Sequence, residues 1–308
     1  MRPAFLLFSR IRRTMEAKRT TFPNRALPYL LVAPQLLITF IFFIWPATQA
    51  VKSSFERSDP FGFSTQFVGL THYLRLFQDP LYLASIGRTA LFATAVTAIS
   101  MSFALLLAVA VSRLLRLARA YTTLLVWPYA VAPIVAGILW WFLFNSATGI
   151  LPYVLRYFGV VWNANLNGTH AMILIIVAAS WKQLSYNFLF FVAGMQSVPQ
   201  SLTEAAAIDG AGPWKRFWTI VFPLLSPTSF FLLIVNINYV MFDTFPIVAA
   251  TTEGGPNQAT NILVYKVYSD GFIGLNLGSS SAQSVVLMVF VILLTFVQFR
   301  YVERRVQY

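Results

Sequence analysis

Residues 201–223 read SLTEAAAIDGAGPWKRFWTIVFP. The stretch carries two acids, two bases and a run of alanines, all set between long apolar segments. Ser201 followed three residues later by Glu204 matches a capping box, in which the serine side chain caps a helix and the glutamate reaches back. The helix then runs over LTEAAAID and stops at Gly210, a residue suited to the left-handed position after a helix end. Pro213 fits the first turn of a second helix, which continues through WKRFWTIVFPLL. A two-turn helix is marginal alone and needs a surface to pack on. Ala205, Ala206 and Ala207 remove bulk and let such a surface come close. An ordinary capped connector between two helices satisfies the same residues, with Glu204 as a capping residue only.

The surroundings of this stretch decide the fold. Of 308 residues, 58% are hydrophobic and 10% charged, whereas soluble domains are nearer one quarter charged. A bilayer is the solvent that such a composition needs. Residues 26–51, 89–112, 120–155, 217–242 and 271–299 hold no charge, and 171–195 hold only Lys182. About 20 apolar residues cross the hydrocarbon core. Six transmembrane helices are therefore expected, the third near 121–145 and the last near 279–299. Runs this long can satisfy their backbone in lipid only as helices, so the fold class is all-α and polytopic. No internal repeat is visible. The outer loops near 52–88 and 243–275 contain turn signals such as DPFG and EGGPN.

Charge gives the orientation. With the N terminus inside, inner segments hold fifteen Lys/Arg and outer segments six, which sets both termini in the cytoplasm. The first 25 residues carry seven Lys/Arg and only the short apolar run AFLLF, too brief for a signal-peptide core. The expected organisation is a basic cytoplasmic tail at 1–25, a six-helix transmembrane domain at 26–300 with the inner loop at 196–223, and a short cytoplasmic tail at 301–308. The net charge of +12 reads as topology and not as nucleic-acid affinity. There is no cysteine, and His72 and His170 are too few and too far apart to suggest a metal site.

The inner loop carries a resemblance. Glu204-Ala205-Ala206, Gly210, Ile220 and Pro223 stand at the spacing E-A-A, three residues, Gly, nine residues, Ile-x-Leu-Pro, with Phe222 in place of the usual leucine. This resembles the signature loop of permease subunits in binding-protein-dependent ABC importers. TTEGGPNQAT (251–260) resembles the outer T-x-G-G-P loop of the sugar-type members. LPYLLVAPQLLITFIFFIWPA, DPFGFSTQFVGL, VWPYAVAPIVAGILWWFLFN, WKQLSYNFLFF and FVQFRYVE extend the likeness from about Leu27 onward. Together they are most similar to A-type permease subunits of sn-glycerol-3-phosphate importers. The resemblance implies a type I importer fold and half of a translocation pathway for glycerol 3-phosphate, with glycerophosphodiesters as related cargo. It implies a second permease subunit, two cytoplasmic ATPase subunits that hold ATP and magnesium, a periplasmic solute-binding protein, and a place in a bacterial inner membrane. It also implies that Glu204, Ala205, Ala206, Asp209, Gly210, Ile220 and Pro223 serve coupling to the ATPase. A sugar or polyol cargo, and an ion-coupled transporter or channel, stay open as alternatives.

No chemistry of its own is evident in the chain. It lacks a G-x-x-x-x-G-K-[ST] loop and the H-E-x-x-H and G-x-S-x-G arrangements, so no catalytic residue and no cofactor site is expected. Ionisable groups inside a membrane default to functional candidates. Lys182 lies near the middle of the fourth span, either as an anion contact or as a lysine paired with a neighbouring helix. Asn236, Tyr239 and Asp243 follow i, i+3, i+7 and share one helical face, either lining a wet pathway or bonding helix to helix. Asn238 points elsewhere on that wheel. Gln183 and Asn187 share a face of the fourth span as weaker pathway candidates. Trp140 and Trp141 read as interface or packing residues.

Overall fold

The computed structural model describes residues 26–59, 64–112 and 118–302. The basic tail at 1–25, Arg113 and Arg116, and the chain end beyond 302 lie outside the described residues. The chain divides after Gln49 into two compact units. In chain order, α1 spans Leu27–Ser54, and an antiparallel hairpin of β1 (Glu56–Ser58) and β2 (Thr65–Phe67) follows. Then come α2 (Thr71–Gln78), α3 (Pro80–Ser112), α4 (Ala118–Val126), α5 (Pro133–Phe144), α6 (Ile150–Tyr157), α7 (Gly168–Gln196) and α8 (Gln200–Ile208). The chain continues with α9 (Pro213–Leu224), α10 (Ser226–Asp243), α11 (Phe245–Thr251), α12 (Leu263–Tyr268) and α13 (Leu277–Arg300).

Among the described residues four helices, α1, α3, α7 and α13, are long and apolar enough to cross a membrane, and two bent pairs bring the number to six if each is one span. The third and fifth spans are the bent pairs. Ala120–Ala130 and Pro133–Phe144 meet at 102°, and Pro213–Leu224 and Ser226–Asp243 meet at 64°. Both breaks lie at prolines. A proline offers no N–H to the carbonyl four residues back, so Pro133 leaves the Tyr129 carbonyl without its helical donor, and Pro227 does the same to Pro223. The second span begins at Pro80, earlier than the charge-free run. The Asp79 carboxylate accepts from the Leu81 N–H at 2.9 Å, which starts the helix, and Arg88 leans its Nη1 on the Ser85 hydroxyl at 3.5 Å.

The core of the larger unit is where α3, α7 and α10 meet. Phe92 and Val96 pack against Ile175, Ala178 and Ala179, with Tyr239 and Val240 closing the cluster. Toward the other end Ala104 and Ala108 pack against Phe188, Phe191 and Leu232. Small residues let backbones approach closely, which membrane helices need because lipid gives them no hydrophobic drive to associate. Between the two clusters sits a polar layer of Ser100, Asn187 and Asn236, none with any exposed surface.

α11 lies across α5 at Gly137. A Cβ built there would stand 3.0 Å from the Ala250 Cβ and 3.1 Å from the Ile247 carbonyl oxygen, whereas one on Gly87 would meet nothing within 4 Å. Gly137→Val is therefore expected to lower stability by about 1–3 kcal/mol through overpacking, and Gly87→Val to leave it unchanged. Thermal denaturation in detergent compares the two, and equal melting temperatures would refute the crossing.

Candidate functional site

Two regions carry the sequence-level site residues, the short helix α8 and a cavity among the membrane helices. α8 begins one residue before the expected cap. Pro199, extended at φ −61° and ψ 123°, is the N-cap and makes no side-chain bond. Its carbonyl accepts from the Leu202 N–H at 3.2 Å. Ser201 therefore falls inside the first turn, and the capping box with Glu204 does not form. Glu204 is exposed instead. The helix end is as expected: Gly210 has φ +80°, its N–H donates to the Ala207 carbonyl at 3.1 Å, and the Ala211 N–H donates to the Ala206 carbonyl at 2.9 Å. These two bonds form a Schellman motif.

α9 starts at Pro213 with Gly212 extended before it. Arg216 reaches back from α9, its Nη1 donating to the Thr203 carbonyl at 3.3 Å, and so holds α8 against the start of the fifth span. Behind α8 lies a recess of about 890 Å³ bounded by Ser112, Gln196, Thr203 and Val221. The outer side of α8 presents Glu204, Ala205 and Asp209, with Leu202 and Ile208 exposed beside them. Ile220 and Pro223 are half-buried on α9, one turn before the break.

The membrane cavity has a volume of about 640 Å³ and is lined by residues including Tyr129, Lys182, Gln183, Asn238, Tyr239 and Asp243. That volume is within the roughly 300–1,000 Å³ usual for small-molecule sites. The Lys182 ammonium donates to the Val131 carbonyl at 2.8 Å and the Tyr129 carbonyl at 3.3 Å. It therefore supplies the donor that Pro133 withholds. Asp243 also lines the cavity, and its carboxylate makes no hydrogen bond among the described residues. The Tyr239 hydroxyl donates to the Ala179 carbonyl at 3.3 Å.

Two expected pathway residues are elsewhere. Asn236 and Asn187 are wholly buried, and they bond to each other and to Ser100. Asn236 Nδ2 donates to Asn187 Oδ1 at 2.8 Å, Asn187 Nδ2 donates to Asn236 Oδ1 at 3.1 Å, and the Ser100 hydroxyl donates to Asn236 Oδ1 at 3.1 Å. These side chains join three helices and do not face the cavity. Asn238, set aside on the helical wheel, does line it. The cavity side of α10 is Val235, Asn238, Tyr239 and Phe242, an i, i+3, i+4, i+7 face that leaves Asn236 to its side. A π-helical turn at Tyr239–Asp243 follows both asparagines.

Sequence reasoning also missed Tyr129 and Tyr186 in the cavity and a buried ion cluster. Lys266 Nζ pairs with Asp270 at 2.9 Å and stands 3.7 Å from Asp79, and Gln283 Nε2 donates to Asp270 at 2.6 Å. The i, i+4 spacing of Lys266 and Asp270 was the available signal. Trp140 is a packing residue, 5.8 Å from Phe144 and 5.9 Å from Trp181 between ring centres.

Removing one amide from the Ser100–Asn187–Asn236 layer leaves a buried partner unpaired at a cost of about 1–3 kcal/mol, whereas replacing both partners is close to neutral. Asn236→Leu is therefore expected to lower the melting temperature, and Asn236→Leu with Asn187→Leu to recover part of the loss. A double variant as unstable as the sum of the singles would show that the pair is not coupled.

Residues 100–308 match the family described as "Binding-protein-dependent transport system inner membrane component". The chain is similar to the sn-glycerol-3-phosphate transport system permease protein UgpA of Brucella abortus, 58% identical over 291 residues that cover 94% of this chain and 99% of the relative. The protein of that name in Escherichia coli is 55% identical over 96% of this chain and 100% of the relative. Among solved structures, a bacterial ABC transporter involved in import of the acidic polysaccharide alginate aligns with a TM-score of 0.75, 19% identity, and coverage of 96% and 99% of the two chains. The MetNI methionine ABC transporter aligns at 0.52 with 16% identity, over 74% of this chain and 97% of that one.

Proposed function

The chain belongs to the binding-protein-dependent transport system inner membrane components, and from that premise we propose that it forms half of the pathway by which sn-glycerol 3-phosphate crosses the inner membrane. The observation that carries the cargo is the identity of 54–58%, over 93–96% of this chain, to relatives named for glycerol 3-phosphate transport. In this reading a second permease subunit supplies the other half. Two ATPase subunits bind ATP and magnesium in the cytoplasm, and a periplasmic protein delivers the solute. Both termini and α8 face the cytoplasm, as the distribution of Lys and Arg supports.

The solute passes the cavity of Lys182, Gln183, Asn238, Tyr239 and Asp243. Lys182 is the one charge within the six apolar runs of the sequence, and an ammonium among apolar helices attracts an anion. Asp243 balances that charge when no solute is present. Asn238 and Gln183 offer neutral donors and acceptors to glycerol hydroxyls. α8 is the coupling element, seated in a cleft of the ATPase through Glu204, Ala205, Ala206 and Asp209. Gly210 ends it sharply, and Ile220 and Pro223 carry its displacement toward the break in the fifth span.

The complex reconstituted in proteoliposomes is expected to accumulate glycerol 3-phosphate with ATP inside and binding protein outside, and to leave maltose behind. Uptake without ATP would overturn the importer reading. Preference for maltose would overturn the cargo alone.

A further inference from the structure

α6 connects the third and fourth spans, and the two sides of this short helix are both apolar. Leu151 and Leu155 turn inward onto Trp140, Phe144, Trp162 and Leu174. On the opposite side Ile150, Tyr153, Val154 and Tyr157 follow i, i+3, i+4, i+7, so they form one stripe. That stripe is open, with Tyr153 77% and Tyr157 88% exposed. Phe158 extends it at 73%. The only charge on α6 is Arg156, on its flank.

The depth of α6 can be read from α7. Its 29 residues give a length of about 43 Å at 1.5 Å per residue, longer than the roughly 30 Å hydrocarbon core. About four residues at each end therefore stand outside the core. Leu151 and Leu155 of α6 pack on the cluster that includes Ala171 and Leu174, the residues where α7 enters the hydrocarbon core. The exposed apolar surface of α5, with Leu139, Phe142 and Leu143, leads up to the same level. Tyrosine is enriched where hydrocarbon gives way to headgroups, because its ring is apolar and its hydroxyl is polar. A flanking arginine reaches the headgroups along its alkyl stem.

We propose that α6 is an interfacial anchor that lies in the headgroup layer, with Ile150, Tyr153, Val154 and Tyr157 seated on the lipid and Arg156 among the headgroups. The anchor fixes the level of the third and fourth spans, because Trp162 Nε1 donates to the Phe144 carbonyl at 3.1 Å and ties the loop after α6 to the end of α5. It holds whichever solute the pathway carries and whichever side of the membrane α6 faces.

The chain has no cysteine, so single nitroxide labels report one position each. Labels at Tyr153→Cys, Val154→Cys and Tyr157→Cys are placed in the assembled complex in phosphatidylethanolamine–phosphatidylglycerol vesicles. They are expected to collide several-fold more with oxygen than with a water-soluble nickel chelate. A label at Asn165→Cys in the neighbouring loop is expected to show the reverse. If a tyrosine variant does not assemble, Val154→Cys on the same stripe decides. Collision mainly with nickel at the stripe would show a surface in water and overturn the anchor. Low collision with both reagents would show a surface covered by another subunit and would equally overturn it.

Discussion

A carbonyl freed inside hydrocarbon must find a donor, and the third span frees one at Tyr129 because Pro133 has no N–H. The Lys182 ammonium meets that need and bonds Val131 as well. The sharp bend, the cavity and the position of Lys182 are thus one arrangement. The bend needs the lysine, the lysine needs polar company, and the cavity that holds it has Asp243, Gln183 and Asn238 on its walls. An ammonium has three protons, and the two carbonyls take two.

The polar residues of the membrane region sort into two sets with different work. Ser100, Asn187 and Asn236 satisfy one another completely and lie between two apolar clusters, so they fix the crossing of α3, α7 and α10. Asn238, Tyr239 and Asp243 stand two to seven residues further along α10 and turn to the cavity.

Much of this was legible in the residues. Runs without charge gave the spans, because lipid penalises charge strongly enough to leave a mark in composition. Gly210 announced its own left-handed turn. The breaks were harder to see: Pro133 and Pro227 lie in stretches as apolar as an unbroken helix, and proline in membrane helices is common. Ser201 satisfied the pattern of a cap, but Pro199 took the position two residues earlier. Asn236 and Asn238 exchanged roles because the face of α10 turned to the cavity runs Val235, Asn238, Tyr239, Phe242, and polar spacing alone chose the neighbouring face through Asn236.

The same economy links the membrane region to α8. Arg216 ties α8 to the foot of the fifth span, the Schellman turn at Gly210 ends it sharply, and the break after Leu224 lies nine residues beyond Arg216 at a bend of 64°. Held this way, α8 and the foot of α9 form one hydrogen-bonded piece. The central claim is that this piece couples ATP hydrolysis to solute movement, and the ratio of glycerol 3-phosphate accumulated to ATP hydrolysed in the Gly210→Pro complex tests it most directly. Proline cannot adopt φ +80° and removes the N–H that bonds Ala207. The account predicts continued hydrolysis with uptake reduced about tenfold or more, and an unchanged ratio at unchanged rates would contradict it.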